Sequence, residues 1–550
     1  LSETFGISLD LGTSGTRAHA LDLKSGKILS TAITVRHPVP GMNVMDHLTF
    51  CIEVDRDLAS RLMVDTVNRL VKMLGIDLKK VERLAICGNP IQLSIFQNME
   101  IRDLAFAGER AWKVRGVELQ KRDAKVIKAG ALGLDVNPEA DLYVPPAIKH
   151  EIGADALAMM VKTGLLDRKE NCLVTDYGTN AEMALKVGDE IYTGSAAAGP
   201  AIEGQHIKSG MLASPGAISD IEYEFQWRCK VLDDDMMAQD GDKIDPATGA
   251  LIEEGPMHGK VLGITGTGVI AAIALGLETN LIKTPNILTR DKTLHLMDGI
   301  DLTNHDFQEA AKTFGAMRAG HFTLLEHASI KFEELSSMYM SGASGTYVDA
   351  LKAQKVGLIP PSFDTVYQVG NTSLALATDI VRDPEWMDRL QVIANGIRSN
   401  HVMFATDKVF ETIFIQELAF WGEGMPIDAY NMMLKMEGIQ ELPKKIKKCK
   451  VVKLVERDIP VLGDRGLKIL RDIGVKIDGT FSGCIGCEKC REECPENAIT
   501  IDQTATGYHI CVASDLCGGT ACLRCEQSCP EKVFKFKNLT MGGVRLAGKA

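Results

Sequence analysis

The sequence predicts an α/β architecture of two lobes, followed by a small α+β module rich in cysteine. Three observations carry this. Over about the first 440 residues, β-like runs alternate with Gly-rich turns and amphipathic helical stretches. A strand ending in Asp-x-Gly-Thr occurs twice, at Asp10 and at Asp176. Nine of the 14 cysteines lie beyond residue 483. The length of 550 residues corresponds to roughly three or four domains. With 45% hydrophobic and 24% charged residues, the chain is not a disordered one. A net charge of −12 argues against a nucleic-acid partner. No run of 18 apolar residues predicts a membrane span, and no secretory pattern is legible at the start given.

The elements follow in order. Phe5–Asp10 reads as a strand entering Asp10-Leu11-Gly12-Thr13-Ser14-Gly15-Thr16-Arg17, with His19–Leu23 as the returning strand. Such a turn offers backbone N–H groups and hydroxyls to an anion, and its Asp can hold hydrated Mg2+. Asp57–Leu74 has helical spacing, and Arg83–Cys87 reads as a strand. Ile152–Ala158 opens a helix that contains Asp155. Cys172–Asp176 is a strand entering the second turn, Asp176-Tyr177-Gly178-Thr179-Asn180. The charge-free stretch Val261–Leu277 is too rich in Gly and Thr for a membrane span and reads as a buried loop plus helix. Within it, Gly263-Ile264-Thr265-Gly266-Thr267-Gly268 opens the helix. Asp306–Ala319 has helical spacing. Ser337–Ser341 is a strand running into Gly342-Ala343-Ser344-Gly345, and Val369–Ala375 opens a further helix. Residues 441–480 read as a connector, with six lysines in Leu442–Lys453. The lysines make a solvated surface, or a place to meet an acidic partner.

The last part, 481–550, carries a sharper pattern. Cys484, Cys487, Cys490 and Cys494 follow C-x2-C-x2-C-x3-C, with Pro495 next. This is the bacterial ferredoxin run, whose fourth Cys serves the other cluster. Cys517, Cys522, Cys525 and Cys529 repeat it before Pro530, with two extra residues in Gly518-Gly519-Thr520-Ala521. By crossing, Cys484, Cys487, Cys490 and Cys529 hold one [4Fe–4S] cluster. Cys517, Cys522, Cys525 and Cys494 hold the other. Cys511 is left over as a strand thiol, and the five scattered cysteines lack metal spacing. His150, His206 and His321 read as ordinary polar or packed residues.

The motifs of the first 440 residues, taken in this order, resemble the acetate and sugar kinase/Hsp70/actin superfamily. The resemblance implies a two-lobed ATPase with a duplicated ribonuclease H-like core, lobes at about 1–165 and 166–440. It implies that Asp10 and Asp176 position Mg2+ through water, and that Asp155 orders or activates the attacking water. Gly12, Thr13, Ser14, Thr16, Gly178, Thr179 and Asn180 would meet the ATP phosphates. Gly266, Gly268, Gly342, Ala343, Ser344 and Gly345 would face the nucleotide.

Over nearly its whole length the chain further resembles the ATP-dependent reductive activases of corrinoid proteins. The marks are Asp10–Arg17, Val144–His150, Thr175–Glu182, Ser195–Gly204 and Gly342–Tyr347. Several of those proteins carry an N-terminal [2Fe–2S] domain. Here the sequence opens on the nucleotide domain and carries its clusters at the C-terminal side, so electrons would enter through [4Fe–4S] centres. This layout implies a corrinoid methyl-carrier partner from a methylamine methyltransferase system, whose Co(II) is reduced to Co(I). It also implies a low-potential electron donor, a cytoplasmic location and a monomer. Two other readings join the same fold to iron–sulfur chemistry: an activator of a radical dehydratase, and a redox-sensing, chaperone-like binding module. The former bridges one cluster between two subunits, which eight ligands in one chain disfavour.

Overall fold

The computed structural model describes residues 3–106, 109–149, 152–178, 180–196, 201, 206–397, 400–505 and 507–541. The chain divides into two units. The first holds residues 1–150, 377–391 and 462–550, and the second holds 151–376 and 392–461.

The first unit opens with strands β1 (Phe5–Leu11), β2 (Thr16–Asp22) and β3 (Ile28–Thr34), an antiparallel meander. All seven residues of β1 are buried, as befits a strand with neighbours on both sides and layers on both faces. The one polar side chain before Asp10, Ser8, is satisfied by Thr378 Oγ1 at 2.8 Å. Helix Arg56–Met73 then crosses the sheet, within a residue of the span its spacing predicts. Asp55 caps it by accepting from Leu58 N–H at 2.7 Å, and Leu58, Leu62, Val67 and Leu70 form its buried stripe. Strand β4 (Val81–Gly88) returns parallel to β1. Strands β5 (Lys125–Lys128) and β6 (Asp141–Val144) follow, β6 parallel to β4 and β5 antiparallel to β6.

The second unit repeats the opening. Strands β7 (Cys172–Tyr177), β8 (Ala181–Val187) and β9 (Glu190–Ala196) form a second antiparallel meander. A five-stranded sheet follows, of β10 (Ala217–Tyr223), β11 (Trp227–Leu232), β12 (Ala238–Ile244), β13 (Leu251–Glu253) and β14 (Gly263–Ile264). Two small hairpins pair β15 (Ile282–Lys283) with β16 (Asn286–Ile287), and β17 (Thr293–His295) with β18 (Asp301–Thr303). Strand β19 (Ser337–Ser341) lies parallel to β7, and β20 (Thr365–Gly370) parallel to β19.

Helix Asn304–Ala328 packs below this sheet and is longer than the predicted Asp306–Ala319. Its start is a capping box between Thr303 and Asp306, and it stops at Ser329 in the left-handed region. Gly315 and Gly320 do not break it, because both are close-contact points. A Cβ on Gly315 would lie 2.9 Å from Glu417 Cβ, and one on Gly320 would lie 2.8 Å from Met183 Sδ. Nearby, Arg318 and Glu417 form a buried bidentate pair at 2.7 and 2.6 Å, and Tyr430 Oη donates to the same carboxylate.

Residues 441–480, expected as a connector, supply an edge strand to each large sheet. Strand β21 (Lys450–Lys453) lies parallel to β20 in the second unit. Strand β22 (Leu467–Leu470) lies parallel to β3 in the first. Lys450 and Lys453 are exposed on β21, the usual way to keep an edge from pairing further. The two sheet orders are β22-β3-β2-β1-β4-β6-β5 and β21-β20-β19-β7-β8-β9. Each is a meander with a parallel strand added beside its first strand. This is the duplicated ribonuclease H-like core that the repeated turns predict.

The cysteine-rich module belongs to the first unit. Its strands are β23 (Lys476–Thr480), β24 (Ile499–Thr504) and β25 (Gly507–Ala513), antiparallel in the order β23-β25-β24. Among the described residues, no helix is long and apolar enough to cross a membrane. The stretch Val261–Leu277 is instead a short strand followed by the buried helix Gly266–Glu278.

Candidate functional site

The first turn is residues 12–15, between β1 and β2. Leu11 pairs with Thr16 and Asp10 with Arg17. Gly12 N–H donates to Gly15 O at 3.1 Å, and a Cβ on Gly12 would come within 2.9 Å of that carbonyl. Asp10, Thr13, Ser14 and Thr16 are buried, and the Arg17 guanidinium lies 3.9 Å from the Asp10 carboxylate. Two neighbours set the shape of the turn. Asn89 Nδ2 donates to Thr13 Oγ1 at 3.0 Å, while Asn89 Oδ1 caps helix Pro90–Phe96 by accepting from Gln92 N–H at 2.9 Å. Thr34 Oγ1 accepts from Thr16 N–H at 2.8 Å. Sequence reasoning did not single out Asn89, although Asn before Pro is a helix-start signal.

The second turn joins β7 to β8, with Tyr177 opposite Ala181 and Asp176 opposite Glu182. Residues opposite each other in an antiparallel pair share a face. Glu182 therefore stands beside Asp176, and Asp155 approaches from the first turn of helix Ala154–Lys162. Burial, with Asp155 and Asp176 adding negative charge, holds the Glu182 carboxyl well above the usual carboxylate range. Ser195 Oγ donates to it at 3.4 Å. Glu182 is buried and Asp155 and Asp176 are half-buried, and three carboxyl groups so close together favour a cation among them. Glu182 was missed as a site residue, and the strand pairing was the signal that could have found it.

Asp176 is fixed from the neighbouring strand. Ser341 Oγ donates to Asp176 Oδ2 at 3.1 Å and lies 2.7 Å from Thr372 Oγ1. Gly342 sits at φ +84°, and a Cβ there would lie 2.5 Å from Asp176 Oδ1. Gly342, Ala343, Ser344 and Gly345 form the start of helix Gly342–Tyr347, whose last carbonyls accept from Gln368 Nε2. Gly178 and Asn180 lie in the turn itself. Thr179 is outside the described residues, as are His150 and most of the stretch 197–205. Gly266 and Gly268 open a buried helix that neighbours Gly342–Tyr347. Gly268 has a packing reason to be glycine, since a Cβ would lie 2.5 Å from Ile218 O. His321 is buried against Thr175 Oγ1 at 2.8 Å.

The cysteines of the last module fall into two groups. Cys484, Cys487, Cys490 and Cys529 line one cavity, closed by Ile501 and Ile510. Cys517 has Cys525, Cys494 and Cys522 as its cysteine neighbours. Burial pushes the Cys517 and Cys525 thiols up to about 12, so metal binding there must displace protons. The backbone repeats as the spacing does. Glu488 and Leu523, each just after the second Cys of its run, both have positive φ, as do Asn497 and Lys532 after the two Cys-Pro pairs. The donor set and its grouping fit two four-cysteine clusters. Cys511 lies on β25 between Ile510 and Val512, both of which are buried, so it faces away from the cavity that Ile510 lines. The other five cysteines are buried singly.

The chain is similar to known proteins over most of its length. A family model described as the middle region of RACo matches residues 5–168. The model of the C-terminal, ASKHA domain of RACo matches 170–431, and a 4Fe–4S binding domain matches 481–500. The "[Co(II) methylated amine-specific corrinoid protein] reductase" of Methanosarcina barkeri is 49% identical over 500 residues, 90% of this chain and 92% of that protein. The "Corrinoid activation enzyme RamQ" of Eubacterium limosum is 25% identical over 76% of this chain and 70% of its own length. Among solved structures, a "Reductive activator for corrinoid,iron-sulfur protein" matches with a TM-score of 0.62 at 22% identity. That match covers 75% of this chain and 65% of the other, a likeness of fold. The two duplicated sheets, the paired turns and the cysteine module thus meet in one family: the chain belongs to the reductive activators of corrinoid proteins, with an actin- and sugar-kinase-like ATPase fold and a ferredoxin motif.

Proposed function

We propose that this protein reductively activates the corrinoid methyl-carrier proteins of methylamine metabolism in methanogenesis, using ATP. The observation that carries the reading is the joining, in one chain, of two Asp–Gly–Thr turns and two four-cysteine groups. The reading extends the printed name of the Methanosarcina barkeri relative to this chain.

Turn 12–15 offers Gly12, Thr13, Ser14 and Thr16 to the phosphates of Mg–ATP, and residues 178–180 offer the same kind of groups. Asp10 and Asp176 position Mg2+ through water. Asp155 orders the attacking water. Glu182, beside Asp155 and Asp176, would help to hold the cation, whose charge would favour its ionised form. Gly266, Gly268 and Gly342–Gly345 lie along the nucleotide. Cys484, Cys487, Cys490 and Cys529 hold one [4Fe–4S] cluster, and Cys494, Cys517, Cys522 and Cys525 hold the other. When bound, the clusters supply single electrons at low potential, and the partner's Co(II), the substrate, is reduced to Co(I). On this reading the ATPase domain runs from the first strand through β22, so that it takes in most of the expected connector, and 481–550 is the ferredoxin domain. The free thiols favour a reducing, cytoplasmic compartment.

The test is anaerobic cobalt reduction, followed by visible absorbance, with a purified corrinoid protein and a low-potential donor. Co(I) should form only when both ATP and the iron-loaded chain are present. Asp10→Ala and Asp176→Ala should lose this activity and keep their iron. Cys490→Ala should drop from about eight to about four irons per chain and still bind nucleotide. Formation of Co(I) at the same rate without ATP would end the proposal.

A further inference from the structure

Turn 12–15 and the Cys517 loop belong to the same unit, and one strap of chain reaches both. The strap is residues 35–43, between β3 and helix Val44–Phe50. At its start, Thr34 Oγ1 accepts from Thr16 N–H at 2.8 Å and donates to Arg36 O at 2.9 Å. In its middle, His37 stacks on His47 with ring centroids 4.0 Å apart. His47 Nδ1 is 2.8 Å from Gln92 Nε2, on the helix whose cap, Asn89, holds Thr13. At its far end, Gly41 N–H donates to Cys517 O at 2.9 Å. A Cβ on Gly519 would lie 3.0 Å from Pro40 O, so the chain passes there at backbone contact. Gly519 belongs to the two-residue insertion that distinguishes the second cysteine run from the first.

The polar side chains that link the strap to the turn, Thr13, Thr34, Asn89, Gln92, His37 and His47, are buried. Packing this dense passes a displacement on and does not absorb it. Its hydrogen bonding is marginal. His37 faces Gln92 and His47 faces the Gly41 backbone, yet Gln92 Oε1, His37 Nε2 and His47 Nε2 fall short of well-formed hydrogen bonds. A small movement that improves or worsens this pairing changes the energy of the whole route. No described hydrogen bond joins Cys484, Cys487, Cys490 or Cys529 to the strap.

We propose that the strap 35–43 carries phosphate occupancy of turn 12–15 to the group Cys494, Cys517, Cys522 and Cys525, with Asn89 and Gln92 as positioning residues. This rests on the proposed function, in which the turn binds phosphate and the cysteines bind iron. Nucleotide binding then alters the surroundings of one cluster and spares the other. The insertion in the second cysteine run is the point of contact that makes the difference.

Hydrogen–deuterium exchange on the iron-loaded full chain tests this, with and without Mg2+ and a non-hydrolysable ATP analogue. Amides in 36–43 and 514–523 should slow by about tenfold on nucleotide binding, and those in 484–490 should not change. Gln92→Leu should keep iron content and nucleotide affinity and lose the change at 514–523. His47→Phe supplies the same comparison if Gln92→Leu does not fold. Retention of the full change in a folded variant overturns the proposal, as does an equal change at 484–490. If the wild-type chain binds nucleotide and iron and shows no change at 514–523, the coupling is wrong and the proposed function stands. If it binds neither, the proposed function falls and the coupling falls with it.

Discussion

Gly342 has less freedom than any other residue around the second turn. Its φ of +84° is one that side chains rarely adopt, and a Cβ would lie 2.5 Å from Asp176 Oδ1. Gly342→Ala should therefore push the Asp176 carboxylate aside while leaving the sheet intact. We expect Mg–ATP affinity to fall by about 100-fold, with little change in iron content, measured by calorimetry and iron assay. Unchanged affinity would show that Asp176 does not need its present position. Asp10, Asp176 and the glycines around them were legible in the sequence, because an Asp-x-Gly-Thr turn is local. Glu182 and Asn89 were not. Glu182 acquires its meaning from standing opposite Asp176, and Asn89 from the hydroxyl of Thr13, and neither relation is a spacing in the chain.

Among the elements, helices Asn304–Ala328 and Lys408–Gly422 depend on one buried ion pair. Arg318 and Glu417 are joined by two hydrogen bonds, with Tyr430 on the same carboxylate. Removing one partner leaves the other charge buried and alone. Glu417→Ala should cost about 3–5 kcal/mol, read as a lower urea midpoint for the second unit. A loss below about 1 kcal/mol would mean that water reaches Arg318 in the variant. The expected span of the first of these helices ran through Gly315 and stopped at Ala319, whereas the helix continues past Gly320, whose place is set by close packing on Met183. The edge strands β21 and β22 escaped for a different reason. Each pairs with a strand far away in the chain, and the lysines of β21 mimic those of a solvated linker. The two cysteine groups were legible, since the spacing of the runs is a local pattern in the chain and does not depend on the rest of the fold.

For the molecule as a whole, buried histidines set the response to acid. Burial lowers His19 and His321 to about 3, His37 to about 4, and His47 well below its ordinary value of 6.5. Below pH 6.5 the unfolded chain takes up protons that the folded chain refuses, so stability falls as pH falls. Above 6.5 these groups contribute no slope. Each adds up to about 1.4 kcal/mol per pH unit. His19, His37 and His47 belong to the first unit and His321 to the second. Glu182, also in the second unit, works in the opposite sense, because its raised carboxyl keeps a proton that the unfolded chain loses above about pH 4.5. Urea melts from pH 7.5 to 5 should therefore show the first unit losing stability faster than the second. Parallel loss in both would contradict the assignment. The two edge strands have a practical consequence for dissecting the protein. A fragment cut at residue 440 keeps every nucleotide motif, yet it strips β21 from β20 and β22 from β3. Two long sheets would then carry bare hydrogen-bonding edges, the condition under which proteins stick to one another. Soluble ATPase fragments should be sought with the cut placed beyond Leu470, where β21 and β22 remain as the native outer strands.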